Sequence, residues 1–133
     1  MPGKLLPDTN AFIALLAGAS SVAEIMDAAD EVLLSAIVLG ELTYGALNSR
    51  SLDQNLAKLV ELRRQCVFVP VDEAVVSSYA QVRLVLKRKG RPIPENDIWI
   101  AATAIASGAT VLTRDPHFDA VEGLRADSWT EPG

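Results

Sequence analysis

Two of the residues that build metal centres and cross-links are nearly absent. The chain has one cysteine, Cys66, and one histidine, His117. A single thiol forms no internal disulfide, so a reducing cytoplasm is the expected location. One Cys and one His also fall short of a zinc site of the usual composition. No apolar run approaches the ~20 residues of a membrane span, so no membrane partner is expected. Positive charge is in the minority, with 12 Lys and Arg against 17 Asp and Glu. A formal net charge of −5 gives no overall attraction to polyanions. Any nucleic acid must be met by a local basic patch or by bound cations.

What the sequence does have is apolar content. Half of its 133 residues are hydrophobic, enough for a real core and too many for disorder. The length suits one domain spanning 1–133. Lys4 and the apolar residues after it resemble a secretory signal, but Pro7, Asp8 and Asn10 interrupt the apolar stretch, so export is not expected. There is no internal repeat or low-complexity tract.

The order of elements is legible. Residues 4–7 read as a short buried strand. "TNAFIALLAG" reads as a helix capped by Thr9 and ended by Gly18. "SSVAEIMDAAD" reads as a second helix, with Ser20 or Ser21 as cap and Glu24 set for a capping box. "EVLLS" is a strand, "AIVLGELTYGALNS" a helix, and "LDQNLAKLVELRRQ" a helix with a clear apolar stripe. "VFVPV" is a strand. "DEAVVSSYAQVRLVLKRKG" is a helix capped by Asp72, cationic in its last turn and closed by Gly90. After the loop "RPIPE" come the apolar helix "NDIWIAATAIASG", the buried strand "TVLT" and a last edge strand in "LRADSW". Strands alternating with helices imply a three-layer α/β/α sandwich around a five-stranded parallel sheet. Ligands in such sheets gather at the carboxyl ends of the strands.

The acids fall at that edge. Asp8 follows the first strand, Glu41 lies early in the helix after "EVLLS", Asp97 opens the helix that feeds "TVLT", and Asp115 follows that strand. Each has a plain structural alternative: Asp8 as a helix cap, Asp97 as a first-turn dipole partner, Asp115 before Pro116 as a turn initiator. Glu41, inside an apolar stretch, has the weakest such excuse. Four converging carboxylates cannot all stay ionised unaided, and a divalent cation removes the conflict. An all-oxygen set suits Mg²⁺ or Mn²⁺, with Asp8, Asp97 and Asp115 as ligands and Thr9, Asn10, Asn96 and Thr113 as supporting donors. Such an ion lowers the pKa of a bound water and stabilises charge on a phosphate, which suits phosphodiester hydrolysis. No Lys or His stands out in the sequence as a general base.

These motifs, in order, resemble a known family. "DTN" after the first strand, "SAIVLGELTYGA", "PENDIWIAATAIASGATVLTRDPHF" and "VEGL" are similar to a PIN domain, nearest to the VapC-type toxins of bacterial toxin–antitoxin pairs. The resemblance runs from about Leu5 to Leu124. It implies a Mg²⁺-dependent endoribonuclease with a catalytic quartet of Asp8, Glu41, Asp97 and Asp115, with Thr113 a polar neighbour and Asp119 a peripheral acid. It also implies a homodimer and a cognate antitoxin whose C-terminal segment lies in an apolar groove. Phe12, Leu16, Leu42 and Tyr44 are candidate walls of that groove.

An RNA substrate needs positive charge near the acids. "RLVLKRKGR" carries Arg83, Lys87, Arg88, Lys89 and Arg91 just before the loop to Asp97, a candidate patch for tracking phosphates. Trp99, in an apolar helix, is expected in the core rather than stacked on a base. Two other classes compete. A non-catalytic receiver-like module with an acidic metal pocket would want a Lys after the late strand, where this chain has Arg114. An aspartyl phosphatase would want a second Asp two residues after Asp8, where this chain has Asn10.

Overall fold

A computed structural model describes residues 3–130. The elements in order are β1 (Lys4–Pro7), α1 (Thr9–Leu16), α2 (Ser20–Ala28), β2 (Glu31–Ser35), α3 (Ala36–Leu47), α4 (Leu52–Gln65), β3 (Val67–Val69), α5 (Glu73–Lys89), α6 (Glu95–Ser107), β4 (Thr110–Leu112), a 3-10 turn (Pro116–Ala120) and β5 (Ala126–Asp127). All five strands pair parallel in the order β3-β2-β1-β4-β5.

That order fixes the layers. From β1 the chain steps outward to β2 and β3, then returns across the sheet to β4 and β5. Right-handed crossovers put α1 to α4 on one face and α5 and α6 on the other. The direction of winding reverses between β1 and β4, which opens a crevice beyond their carboxyl ends. The three central strands are buried on both faces: Leu5 and Leu6, Leu33 and Leu34, and Val111 and Leu112 are all at most 6 % exposed. That is why they read as short continuous apolar runs instead of alternating ones.

The structure departs from the expected local grammar in four places. Asp8, not Thr9, caps α1: its Oδ1 accepts the Ala11 N–H at 2.8 Å. The start of α2 has no capping box; Ala19 is the cap residue and supplies no side-chain bond. The end of α1 dictates this. Gly18, at φ +91°, turns the chain so that Gly18 N–H meets Leu15 O and Ala19 N–H meets Ala14 O, both at 3.0 Å. The next helix therefore starts before the serines reach a cap position. β3 stops at Val69, ahead of Pro70, which has no N–H to give a ladder. Trp99 is only half buried, stacked on Tyr79 with ring centroids 3.7 Å apart. Asp72 and Gly90 do cap and close α5 as expected, the first by accepting the Val75 N–H at 3.0 Å, the second at φ +64°. Among the described residues no single helix is long and apolar enough to cross a membrane.

One cap sets the direction of α3 and hence of Glu41. Ser35, fully buried at the end of β2, accepts the Val38 N–H at 3.0 Å. Ser35→Ala leaves that donor buried and unpaired, so thermal unfolding should show a loss of about 1–2 kcal/mol.

Candidate active site

Asp8 is the innermost of the acids, 5 % exposed. The parallel pairing of β1 with β4 places it beside Thr113, and its own N–H donates to Leu112 O at 3.0 Å. With Oδ1 holding the helix cap, Oδ2 accepts the Thr113 hydroxyl at 2.6 Å. Thr113 Oγ1 in turn accepts the Asp115 N–H at 2.9 Å, so the chain leaving β4 is tied to the chain leaving β1. On the β2 side, Thr9 Oγ1 donates to Glu41 Oε1 at 2.8 Å. Both threonines thus support acids. Asn10 and Asn96 are exposed and, among the described residues, bond to none of the four acids. They line two hollows beside the cluster instead.

Asp97 and Asp115 meet around a residue that the sequence did not single out. His117 Nδ1 lies 3.1 Å from Asp97 Oδ2 and 2.9 Å from Asp115 Oδ1. The ring is carried there by the 3-10 turn, where Asp115 Oδ1 also accepts the His117 N–H at 2.9 Å. An Asp-Pro-His turn returns the third residue toward the first, and that was the available signal.

The site is electrostatically strained. Burial holds the Asp8 carboxyl above the ordinary carboxylate range, against the lowering pull of the Thr113 hydroxyl and the Ala11 N–H; the charges of Asp115 and Glu41 push it the same way as burial. Asp97 is also raised, first by burial and then by Asp115 and Glu41, with His117 pulling down. Asp8 and Asp97 therefore each feel the charges of Asp115 and Glu41.

The donor set fits a divalent cation. Ligand atoms of Asp97, Asp115 and His117 lie within 4.8 Å of one another. Opposed ligands on Mg²⁺ sit about 4.2 Å apart, twice its bond length, so a small closure suffices. Asp8 is outside that triad but adjoins it through Thr113. Each of its oxygens accepts one hydrogen bond and keeps a further lone pair.

The sequence model of the PIN domain matches residues 5–124. The chain belongs to the PIN domain family. Ribonuclease VapC5 of Mycobacterium tuberculosis is 31 % identical over 118 residues, covering 87 % of this chain and 86 % of that protein. The tRNA(fMet)-specific endonuclease VapC of Shigella flexneri is 32 % identical over 101 residues, covering 75 % and 76 %. A crystal structure of DNA-bound VapBC from Salmonella typhimurium superposes with a TM-score of 0.88 at 28 % identity, covering 98 % of this chain and all of that one.

The surroundings of this PIN site sort the other expected residues. Lys87, Arg88 and Arg91 are exposed at and beyond the end of α5. Lys89 turns onto the loop after the 3-10 turn, 2.9 Å from Glu122 and 3.3 Å from Ala120 O. Arg83 pairs with Glu95 at 3.4 Å, and Asp119 is exposed on the 3-10 turn. Phe12 is fully buried in the core and forms no groove wall. Leu16 and Leu42 line an apolar hollow of about 180 Å³ with Ile13, Gly45 and Leu59. Tyr44, 69 % exposed, lines the separate hollow beside Thr9, Glu41 and Asn96.

Raised carboxyls make stability fall with pH. Asp97 binds its proton more tightly folded than at its unfolded value of 3.8. Its favourable contribution is therefore complete below 3.8 and lost as pH rises through the folded value. In chelator at neutral pH, Asp97→Asn should melt a few degrees above the parent by calorimetry. Adding a divalent cation should narrow or reverse that gap, because the parent gains more from the ion.

Proposed function

We propose that this chain is the ribonuclease toxin of a toxin–antitoxin pair, a metal-dependent endonuclease that hydrolyses RNA phosphodiester bonds. The observation that carries the reading is the meeting of Asp8, Thr113, Asp115, Asp97 and His117 at the β1/β4 crevice of a PIN fold. The named relatives act as ribonucleases, one of them on transfer RNA, and the matched complexes pair VapC with VapB.

Asp8, Asp97 and Asp115 would hold the cation, Mg²⁺ or Mn²⁺, with Glu41 completing the quartet. When bound, such an ion supplies a water made acidic near neutral pH and positive charge opposite the phosphoryl oxygens. The protein's own part is positioning. Ala11 N–H and Thr113 O–H fix both oxygens of Asp8, and Thr9 fixes one oxygen of Glu41. His117 holds Asp97 and Asp115 at a common distance. A receiver-like role is disfavoured, because the side chain after Thr113 is an arginine laid on Trp129.

The partners follow from the same membership: an antitoxin, a second copy of the chain, and RNA. The hollow formed by Ile13, Leu16 and Leu42 suits apolar side chains of an antitoxin segment. Lys87, Arg88 and Arg91 suit the RNA backbone, and Lys89 contributes to the fold at the same time. A cytoplasmic location agrees with the single thiol, Cys66.

Cleavage of total cellular RNA by purified protein tests the reading. Asp8→Ala or Asp97→Ala should lower the rate by roughly 10²–10³-fold or more, and chelator should do the same to the parent. Undiminished cleavage in either variant refutes the assignment. Exchanging Lys87, Arg88 and Arg91 for Gln together should weaken RNA binding. It should also flatten the salt dependence by about 0.7 for each phosphate that is no longer neutralised.

A further inference from the structure

A second feature of the cleft adjoins the acids. A hollow of about 400 Å³ lies between α1 and the chain leaving β4 and β5, lined by Asn10, Ala14, Arg114, Asp115 and Trp129. It shares Asp115 with the acidic site, and neither Asp97 nor His117 lines it. Chain alternation explains how it is built. Thr113 and Asp115 turn toward the acids, so Arg114 between them turns the other way. There the Arg114 guanidinium carbon lies 5.3 Å from the centre of the Trp129 ring. The ring is 5 % exposed, so it is a fixed platform that limits where the guanidinium can go.

These features favour an oxyanion. A guanidinium offers paired N–H donors matched to phosphate, and holding it against an aromatic ring removes much of the ordering cost. Asn10 adds an amide, exposed at the same hollow. A polyanionic strand approaching four carboxylates also needs a cation close to them, and Arg114 directly precedes Asp115.

We propose that this hollow is a phosphate subsite: Arg114, held on Trp129 and joined by Asn10, receives an RNA phosphate neighbouring the one that is cleaved. This rests on the endoribonuclease reading above. The subsite would set where along a strand the acids can cut, because it fixes one phosphate relative to Asp115.

The test uses a labelled random-sequence RNA pool and fluorescence anisotropy, in an Asp97→Asn background that does not cleave. Arg114→Gln should raise the Kd severalfold and reduce the salt slope by about 0.7, whereas Arg114→Lys should keep the slope. In the cleaving background, Arg114→Gln should raise KM with kcat nearly unchanged. The rise in Tm on adding Mg²⁺ should also be preserved, which shows the acidic site intact. Affinity and salt slope unchanged in Arg114→Gln overturn the subsite and leave the nuclease reading standing. No RNA binding or cleavage by the parent protein overturns both.

Discussion

The Asp8 carboxylate is the constraint on which the rest of this molecule depends. One oxygen ends the backbone deficit at the start of α1, and the other takes the hydroxyl of Thr113 from beyond β4. A residue 105 positions away in the chain is thereby fixed against the first strand. The bond can form only because β1 and β4 are parallel neighbours in register, Leu6 opposite Val111 and Pro7 opposite Leu112. Sheet order, helix cap and site are one arrangement seen at three scales.

That arrangement works against stability. Burial and mutual repulsion raise the protonation tendency of Asp8 and Asp97, so the folded chain carries a penalty at neutral pH that a cation would relieve. His117 partly offsets it by placing a ring nitrogen between two of the carboxylates. The core offsets the rest. Phe12, Leu6, Leu34 and Ile100 are all at most 1 % exposed, directly beneath or beside the elements that carry the acids. A strained polar edge on a rigid apolar sheet is what a cation-dependent cleft requires.

What the sequence disclosed, and what it hid, follows from the range of each interaction. The central strands were legible because burial on both faces leaves a continuous apolar run. The acids stood out by falling together at one edge of the sheet, although Asp8 and Asp115 also do the local work of a cap and a turn. His117 was hidden because its role depends on Asp97, twenty positions back on another helix, and no spacing rule reports that. Asp8 took the capping duty expected of Thr9: the capping position belongs to the residue with extended backbone, and Asp8 has φ −76° and ψ 178°. The serines that open α2 lost the cap position, which the closure of α1 gives to Ala19. Lys89 read as one of a run of cations, but a long side chain can fold back onto its own protein, as it does toward Glu122. Phe12 read as a wall because a helical pattern shows which residues are apolar and not which side of them faces solvent.

An acidic protein acting on RNA presents an apparent conflict, and the distribution of charge resolves it. The net charge of −5 is spread over the whole surface, whereas a substrate strand feels mainly the charges within about 8–10 Å at physiological ionic strength. Lys87, Arg88 and Arg91 precede the loop that leads to Asp97, and Arg114 shares a hollow with Asp115. A strand held by both groups of cations would also meet the carboxylates, the stretch of its path where the protein repels it. A divalent cation bound there would convert that gap into the most attractive point on the path. Binding of RNA and binding of the ion should then be thermodynamically coupled, each tightening the other. The acids that make the cleft costly to fold would be the groups that make its affinity for RNA conditional on metal.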